Sequence, residues 1–282
     1  MTGVIISSGL VITEGVNDIN ANSPIIGYQN LVTAINVSAT TEDASYPATN
    51  LANPATHLIW KSGAGSPSSE EYLTVDLNTP EDVDYLAIAR HNLGTSAAAV
   101  SVEASPENPS SPQSWDELIA PRLLPDDGPI IFRFDKRSYT QIRLRIQDSI
   151  ATVPQTPFVA VLYVGALLPM QRRLYVGHTP LKYGRETMIA NLRSISGNFL
   201  GRVVLGEKRR SQAQFRNLTP DWYRAYMDPF VLAAQESPFF FAWRPGTYPD
   251  ECGYAWLSSD PKPQNQSTNG MMQVTLEMEG IA

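Results

Sequence analysis

The chain has 282 residues, of which 43% are hydrophobic and 17% charged, and its formal net charge is −7. This length is enough for one large hydrophobic core or two ordinary ones. An acidic chain with a pI of about 5.0 and no legible nucleic-acid module is not expected to bind nucleic acid. No run reaches the roughly 18 apolar residues of a transmembrane helix, so no membrane span is expected.

The composition favours a mainly β fold. The 22 prolines and 18 glycines are spread along the chain, and long helical periodicity is scarce. Residues 1–24 carry an apolar patch without a positively charged start or a continuous apolar run. We therefore interpret them as a β-rich arm or first strand rather than a signal peptide.

Residues 25–169 form one predicted unit of short strands separated by turns. Alternating or apolar segments predict strands, and residues 62–69 and 106–112 are predicted loops. Many short strands with turns between them favour a β-sandwich, because sheet edges must be paired or covered. The clearest predicted strands are Tyr72–Leu77, Asp84–Ala89, Thr140–Ile146 and Phe158–Leu168.

Four sequence blocks in this unit resemble the galactose-binding-like, or discoidin-like, jelly-roll family. In chain order they are YPATNLANPATHLIWKS, YLTVDLNTPEDVDYLAIARHNLG, SYTQIRLRI and LYVGALLP. The resemblance covers about half of the chain and implies a jelly roll whose end loops contact carbohydrate or lipid. Many members hold calcium near the first block. Here Asn50–Pro54 offers amides where a calcium loop usually needs an aspartate, so no cofactor is expected.

The candidate glycan contacts are His57, Trp60, His91 and Asn92, which lie where sugar-binding loops could form. The alternative is structural: His91 and Asn92 cap a turn, and His57 packs beside a strand. Exposure of Trp60 or Trp115 beside a histidine would favour sugar binding, because aromatic rings stack on sugars. Burial of these side chains would favour the structural interpretation.

The domain boundary is predicted at residues 169–173, where an apolar strand ends at a proline and the charge changes sign. Residues 170–282 form the second predicted domain, with one helix at about 220–234. Thr219 is the predicted N-cap and Pro220 the first helical residue. Pro229 is expected to kink or split this helix. The expected buried stripe is Trp222, Tyr226 and Phe230.

Charge is distributed unevenly along the chain. Residues 1–170 contain 8 Lys and Arg against 18 Asp and Glu, a net charge of −10, and residues 171–282 contain 13 against 10, a net charge of +3. Residues 207–210 (EKRR) are interpreted as a charged turn. Basic residues in this region suit contact with an acidic protein surface. The candidate assembly contacts are Arg172, Arg173, Lys208, Arg209 and Arg210.

The sequence contains no familiar catalytic or metal-binding motif. There is no P-loop, no GxGxxG, no HExxH, no GxSxG and no pair of CxxC motifs, and the three histidines lie far apart. The single cysteine, Cys252, has no histidine nearby and is interpreted as a core residue. We therefore expect a protein that is not an enzyme and has no cofactor.

The stretch Ser237–Trp256, SPFFFAWRPGTYPDECGYAW, combines seven aromatic residues with three prolines and two glycines. Such a segment suits neither a membrane span nor a helix. It predicts short strands and turns whose aromatic side chains pack into a β core.

The second half resembles phage tail-tip proteins, especially distal-tail and minor tail components. The resemblance rests on GRVVLGEKRRSQAQF, the Trp222 helix, the aromatic stretch and the terminal VTLEMEGI, in that order. It implies a ring (hexamer or trimer) that connects the tail tube to the distal tail, with the jelly roll pointing outward. The implied partners are other tail proteins and host surface glycan. The implied location is the virion tail, after synthesis in the host cytoplasm. The alternative is a carbohydrate-binding module whose main role is glycan adhesion.

Overall fold

The structure is a computed structural model of the chain. It describes residues 3–10, 12, 20–63, 70–106, 114–149, 155–174, 176–266 and 270–282. Most of the predicted loops at 62–69 and 106–112, and much of the predicted arm at 1–24, lie outside these residues. Two eight-stranded sheets account for most of the described chain. The mainly β expectation is therefore confirmed.

The first sheet forms a jelly-roll-like sandwich. Its main strand order is β4-β9-β5-β8-β6-β7, with β1 and β3 pairing at β8 and β5. The long strand β5 has a break in register between Asp76 and Glu81, yet Leu73 before the break and Ile88 after it enter the same buried core. The sheet therefore folds over a single core. Its strands are β1 (Val4–Ile6), β3 (Val37–Ala39), β4 (Trp60–Lys61), β5 (Glu71–His91), β6 (Ala98–Ser105), β7 (Asp116–Leu123), β8 (Ile130–Ser149) and β9 (Phe158–Gly165).

The second sheet has the order β10-β2-β13-β14-β16-β12-β11, and β15 also pairs with β16. All of its strand pairs are antiparallel. Its strands are β2 (Ile25–Gly27), β10 (Leu168–Pro169), β11 (Arg185–Arg193), β12 (Phe199–Leu218), β13 (Phe239–Ala242), β14 (Cys252–Leu257), β15 (Gln264–Asn265) and β16 (Met272–Ile281).

The sheets divide the chain differently from the predicted boundaries. The sequence assigned residues 25–169 to one unit, but β2 pairs with β10 and β13 in the second sheet. The strand before it, β1, pairs in parallel with β8 of the first sheet. The N-terminal segment therefore contributes one strand to each sheet. Pairing over such sequence distances leaves no local signal.

The helical segment follows the predicted position but is not one regular helix. It consists of α1 (Pro220–Trp222), a π-helical turn over Tyr223–Met227, and α2 (Asp228–Glu236), with Pro229 in the first turn of α2. The wider π turn changes the phase of the side chains. Tyr226, expected to be buried, is therefore 53% exposed, and Tyr223 and Met227 are buried in its place.

The predicted N-cap residue, Thr219, makes no side-chain capping hydrogen bond. Its hydroxyl instead accepts a hydrogen bond from the Gln171 side-chain amide at 3.0 Å, and its backbone N–H donates to Gln171 Oε1 at 2.9 Å. Gln171, which lies 48 positions earlier in the chain, therefore hydrogen-bonds the residue that precedes the helix. The local sequence around Thr219 could not indicate this contact.

Strand β13 explains the aromatic stretch. Phe239 and Phe241 point toward the helical segment, where they join its core, whereas Phe240 and Ala242 join the core shared with the first sheet. Successive side chains of a strand point to opposite faces. Because both faces of this sheet are covered, all four residues are buried.

The two sheets share a buried aromatic cluster. The Phe240 ring lies 5.4 Å from that of Tyr163 and 4.9 Å from that of Tyr254, centroid to centroid. The Tyr163 hydroxyl donates to the Pro238 carbonyl at 3.0 Å, and the Tyr254 hydroxyl donates to the Pro54 carbonyl at 2.7 Å. Each tyrosine thus buries its ring between the sheets and anchors its hydroxyl on the opposite half of the chain.

We expect Phe240→Ala to destabilise the whole protein. Removing a fully buried phenylalanine costs about 3–5 kcal/mol, from lost transfer energy and the cavity left behind. Urea unfolding followed by circular dichroism measures this change. The control, Leu232→Ala on the exposed face of α2 (59% exposed), should change the unfolding free energy by less than about 1 kcal/mol. Equal effects of the two variants would contradict a shared core at Phe240.

Candidate functional site

A long β-hairpin extends beyond the second sheet. Its strands are β11 and the first half of β12, joined by a turn at residues 194–198 in which Gly197 has a φ of +86°. Strand β16 pairs with β12 only from Arg209 onward. The earlier residues of β12 therefore pair with β11 alone. We call residues 188–205 the distal hairpin.

Both faces of the distal hairpin are apolar. Ile189 lies opposite Val204, and the next pair, Ala190 opposite Val203, points to the other face. The exposed apolar side chains are Met188 (59%), Ile189 (38%), Leu192 (52%), Ile195 (111%), Phe199 (65%), Leu200 (66%), Val203 (48%), Val204 (59%) and Leu205 (66%). Together they expose on the order of 1,000 Å² over the two faces, so that each face carries about the 300–600 Å² of the largest apolar patch on a typical monomer.

A two-stranded ribbon of this kind is only marginally stable by itself in water. Arg193 and Arg202 are the charged residues between positions 188 and 205, and there is no acidic residue or proline there. Arg202 uses its Nε to donate to Asn191 Oδ1 at 3.0 Å. The distal hairpin thus combines an apolar surface with a positive charge, as a contact surface does.

The predicted charged turn is part of strand β12, which corrects the sequence interpretation. Lys208 Nζ lies 3.2 Å from Glu279 and 3.8 Å from Glu186, and Arg210 bridges the same two carboxylates at 2.6 and 3.5 Å. The Arg210 guanidinium holds the pKa of Glu279 below its ordinary value. Arg209 donates to the Lys182 carbonyl at 3.0 Å. These cations stabilise the base of the hairpin through cross-strand pairs.

The remaining two candidate assembly contacts lie elsewhere. Arg172 Nε donates to the Asn217 carbonyl at 3.2 Å, and Arg173 is half-buried. The distal hairpin is not among the sites that the sequence predicted. Its signal was the apolar runs Met188–Ala190 and Val203–Leu205, whose residues fall on both faces of a strand.

The structure does not present the four candidate glycan contacts as one surface. Trp60 is fully buried, and its indole N–H donates to the Thr41 carbonyl at 3.0 Å. The buried Asn92 side chain bonds the backbone of Thr156 and Phe158. His57 is exposed.

His91 is buried and plays a structural role in its turn. Its Nδ1 accepts a hydrogen bond from the Leu93 N–H at 3.2 Å, so the proton lies on Nε2, which donates to the Gly128 carbonyl at 2.9 Å. Burial lowers the pKa of His91 from 6.5 to about 4. The neutral ring therefore fits this site, and a second proton on Nδ1 would face the Leu93 N–H.

A cavity of about 440 Å³ lies beside Trp115 at the start of β7. The Arg143 guanidinium stacks on the half-buried Trp115 at 3.7 Å and on Tyr72 at 4.2 Å from the ring centroids, and it also pairs with Glu103 at 2.5 Å. These contacts fix the orientation of the indole. The cavity lining includes Trp115, Asp116, Glu117, Asp135, Arg137 and Tyr139.

Three other kinds of feature were expected to be absent or inert: a metal site, a membrane-spanning helix and a reactive cysteine. Among the described residues there is no group of three or more His, Cys, Asp or Glu side chains that could hold a metal ion. Within the same residues no helix is long and apolar enough to cross a membrane. Cys252 is buried, and burial raises the pKa of its thiol, which keeps it in the unreactive protonated form.

Comparison with protein-family models and with curated proteins gave no match. Several solved carbohydrate-binding domains are similar to this chain. Chitosan-binding module 1 from a chitosanase/glucanase of Paenibacillus sp. IK-5 is 16% identical, with a TM-score of 0.41 over 48% of this chain and 98% of that module. The CBM32-5 domain from Clostridium perfringens, in complex with GalNAc-β-1,3-galactose, is 12% identical, with a TM-score of 0.39 over 46% and 94% of the two chains.

A third similar structure is CBM32-3, from a family 31 glycoside hydrolase of Clostridium perfringens. It is 17% identical, with a TM-score of 0.38 over 48% of this chain and 93% of that domain. These domains belong to the class expected for the jelly roll, and they lend nothing to the tail-ring interpretation. At these TM-scores we draw no conclusion from them about what this chain binds.

Stability should depend on pH through His91. The unfolded chain binds a proton below pH 6.5, whereas folded His91 binds one only near pH 4. The contribution of His91 to stability therefore falls as the pH is lowered through this window, by at most about 3 kcal/mol. Urea unfolding between pH 7.5 and 4.5 measures the slope.

His91→Gln should be less stable at pH 7.5 and should show a shallower slope than the natural protein. His57→Gln is the control for loss of an exposed histidine, and it should change the unfolding free energy at pH 7.5 by less than about 0.5 kcal/mol. If the unfolding free energy of His91→Gln depended on pH as steeply as that of the natural protein, the role assigned to the buried, neutral His91 would be refuted.

Proposed function

We propose that this chain is a non-enzymatic structural subunit that assembles with copies of itself through the distal hairpin. The observation that carries the proposal is the exposure of apolar side chains on both faces of this hairpin. The exposed area is on the order of what one partner buries in a stable interface, about 800 Å². Leaving it in water would cost stability and invite aggregation.

The proposed setting is a ring at the tip of a phage tail. The support for this setting is the sequence resemblance of residues 170–282 to distal-tail and minor tail proteins. The ring would connect the tail tube to the distal tail and contact other tail proteins. Its location would be the virion, after synthesis in the host cytoplasm.

The double variant Phe199→Glu/Leu205→Glu tests self-assembly. We expect the natural protein to have a solution mass that is a multiple of 31.0 kDa, and the variant to weaken association at least about 100-fold, since burying unpaired carboxylates is costly. Light scattering coupled to gel filtration measures the mass.

Leu232→Glu is the matched control for this experiment. Leu232 is as exposed as the hairpin residues but lies on α2, so its variant should assemble normally. A natural protein that stays monomeric at about 100 µM, where most specific complexes have formed, would contradict the proposal.

A second candidate function is glycan binding at the cavity beside Trp115. Small-molecule sites are concave, with aromatic surface and a few convergent polar groups, and this cavity combines an oriented indole with three carboxylates. The sugar ring would stack on Trp115 while Asp116, Glu117 and Asp135 accept hydrogen bonds from its polar groups. Such a role would make the jelly roll the part that contacts a host surface.

A glycan array followed by calorimetry tests the second function. We expect at least one oligosaccharide to bind, and Trp115→Ala to weaken binding by about tenfold or more, in line with the 1.4 kcal/mol that a lost aromatic contact is worth. The control, Trp256→Ala, removes an exposed tryptophan of the second sheet. Binding that is unchanged in Trp115→Ala, or absent in the natural protein, would rule this site out.

A further inference from the structure

The cavity beside Trp115 lies where strand β8 passes from one set of partners to another. Strand β8 pairs with β1 up to Arg133 and with β6 from Gln141 onward. Between these two parts, Phe134 and Tyr139 are buried and belong to the cavity lining. The volume of about 440 Å³ falls in the range of small-molecule sites, and the lining has the aromatic surface that such sites use.

Two carboxylates reach this lining from different strands. Asp116 pairs with Ala104 of β6, which is part of the jelly-roll core, so Asp116 lies on the core side of β7. Asp135 belongs to β8, close to the buried aromatic residues. Burial raises the pKa of the Tyr139 hydroxyl, and the charges of Asp116 and Asp135 raise it further. Both carboxylates therefore lie near the same aromatic residue of the cavity.

The cavity keeps a negative charge. Among the described residues that line it, Arg137 is the one cation. It lies 4.0 Å from Asp135, and both side chains are well exposed, so this pair contributes little. The Arg143 guanidinium, which stacks on the indole, is already paired with Glu103. The carboxylates of the lining are Asp116, Glu117 and Asp135.

We propose that the cavity beside Trp115 selects sugars that carry a free, protonated amine. This inference rests on the glycan-binding function proposed above and names the chemical class of its ligand. The sugar ring stacks on Trp115, and the ammonium group donates charge-assisted hydrogen bonds to Asp116 and Asp135. A protonated amine has three N–H donors and an ionised carboxylate only accepts, so each group satisfies the other.

The charge of the cavity favours an amine over a neutral or an acidic sugar. A neutral sugar that covered these carboxylates would take them out of water without supplying an opposite charge, and an unpaired buried charge is costly. A uronic or sialic acid would bring a further negative charge against them. Residues 1–170 have a net charge of −10, and this charge attracts a cationic sugar from a distance.

Calorimetry with two matched tetrasaccharides tests the selectivity. Both are β-1,4-linked, one of glucosamine and one of N-acetylglucosamine, so acetylation replaces each ammonium group by a neutral amide and leaves the rings unchanged. At about pH 5.5 we expect the glucosamine form to bind at least about tenfold more tightly, because hydrogen bonds between charged groups are stronger than those to a neutral amide. Asp116→Asn and Asp135→Asn should each reduce this preference, whereas Trp115→Ala should weaken the binding of both forms by about tenfold.

Two controls separate this site from general attraction between opposite charges. Glu236→Gln removes one exposed carboxylate at the end of α2 and should leave the affinity for both tetrasaccharides unchanged. Tetralysine carries ammonium groups without a sugar ring, and it should bind at least about tenfold more weakly than the glucosamine form, because it has no ring to stack on Trp115. Tetralysine that bound as tightly, or a preference that disappeared in Glu236→Gln, would overturn the inference.

The same measurements separate this inference from the function on which it rests. If the acetylated form bound as tightly as the free amine, the amine preference would be wrong and glycan binding at this cavity would stand. The same conclusion would follow if neither tetrasaccharide bound while another sugar on the array bound in a way that depends on Trp115. If no glycan bound the natural protein, both the function and the inference would be refuted.

Discussion

The packing of Phe240 between Tyr163 and Tyr254 is the constraint on which the rest of the structure depends. It joins the jelly-roll-like sheet to the second sheet through one buried aromatic cluster. Because the second sheet is also covered by the helical segment, strand β13 must be apolar on both faces, and its sequence FFFA meets this requirement. The two halves are thereby held as one body, from which the hairpin extends.

The distal hairpin stands out because exposed large apolar side chains are concentrated there, whereas elsewhere in the described chain they are scattered. Elsewhere β12 alternates, with Ser211, Ala213 and Phe215 buried and Gln212 and Arg216 exposed. On the N-terminal side of Arg209, toward the tip of the hairpin, this alternation stops. Between Phe199 and Leu205, apolar residues occupy both faces. Nothing in the described chain covers these side chains, and the self-assembly proposed above would bury them. The ion pairs of Lys208 and Arg210 lie at the base of the hairpin and join residues of the same chain.

The candidate sites show how composition can mislead when partners are distant. His91, Trp60 and Asn92 had the chemistry of sugar contacts, but each satisfies the backbone of the sandwich. The EKRR run had the composition of a turn, but its backbone pairs with β11 and β16, whose residues lie far away in sequence, and it is therefore part of a strand. Trp115 was considered only as a marker of exposure, yet it lies at the cavity with the clearest mix of aromatic and acidic groups.

The sequence by itself determined the mainly β class, the position of the helical segment and the core packing of Phe239–Phe241 and Tyr254, because these depend on local periodicity and turn chemistry. Two other aromatic residues of the same stretch, Tyr248 and Trp256, are exposed instead. The sequence could not assign β1 and β2 to different sheets, the exposure of Tyr226 or the neutralisation of Lys208 and Arg210. Those features depend on strand pairing and on contacts between residues tens of positions apart. The open edges of the hairpin belong to the same group, because an edge exists only once the strand order of the sheet is known.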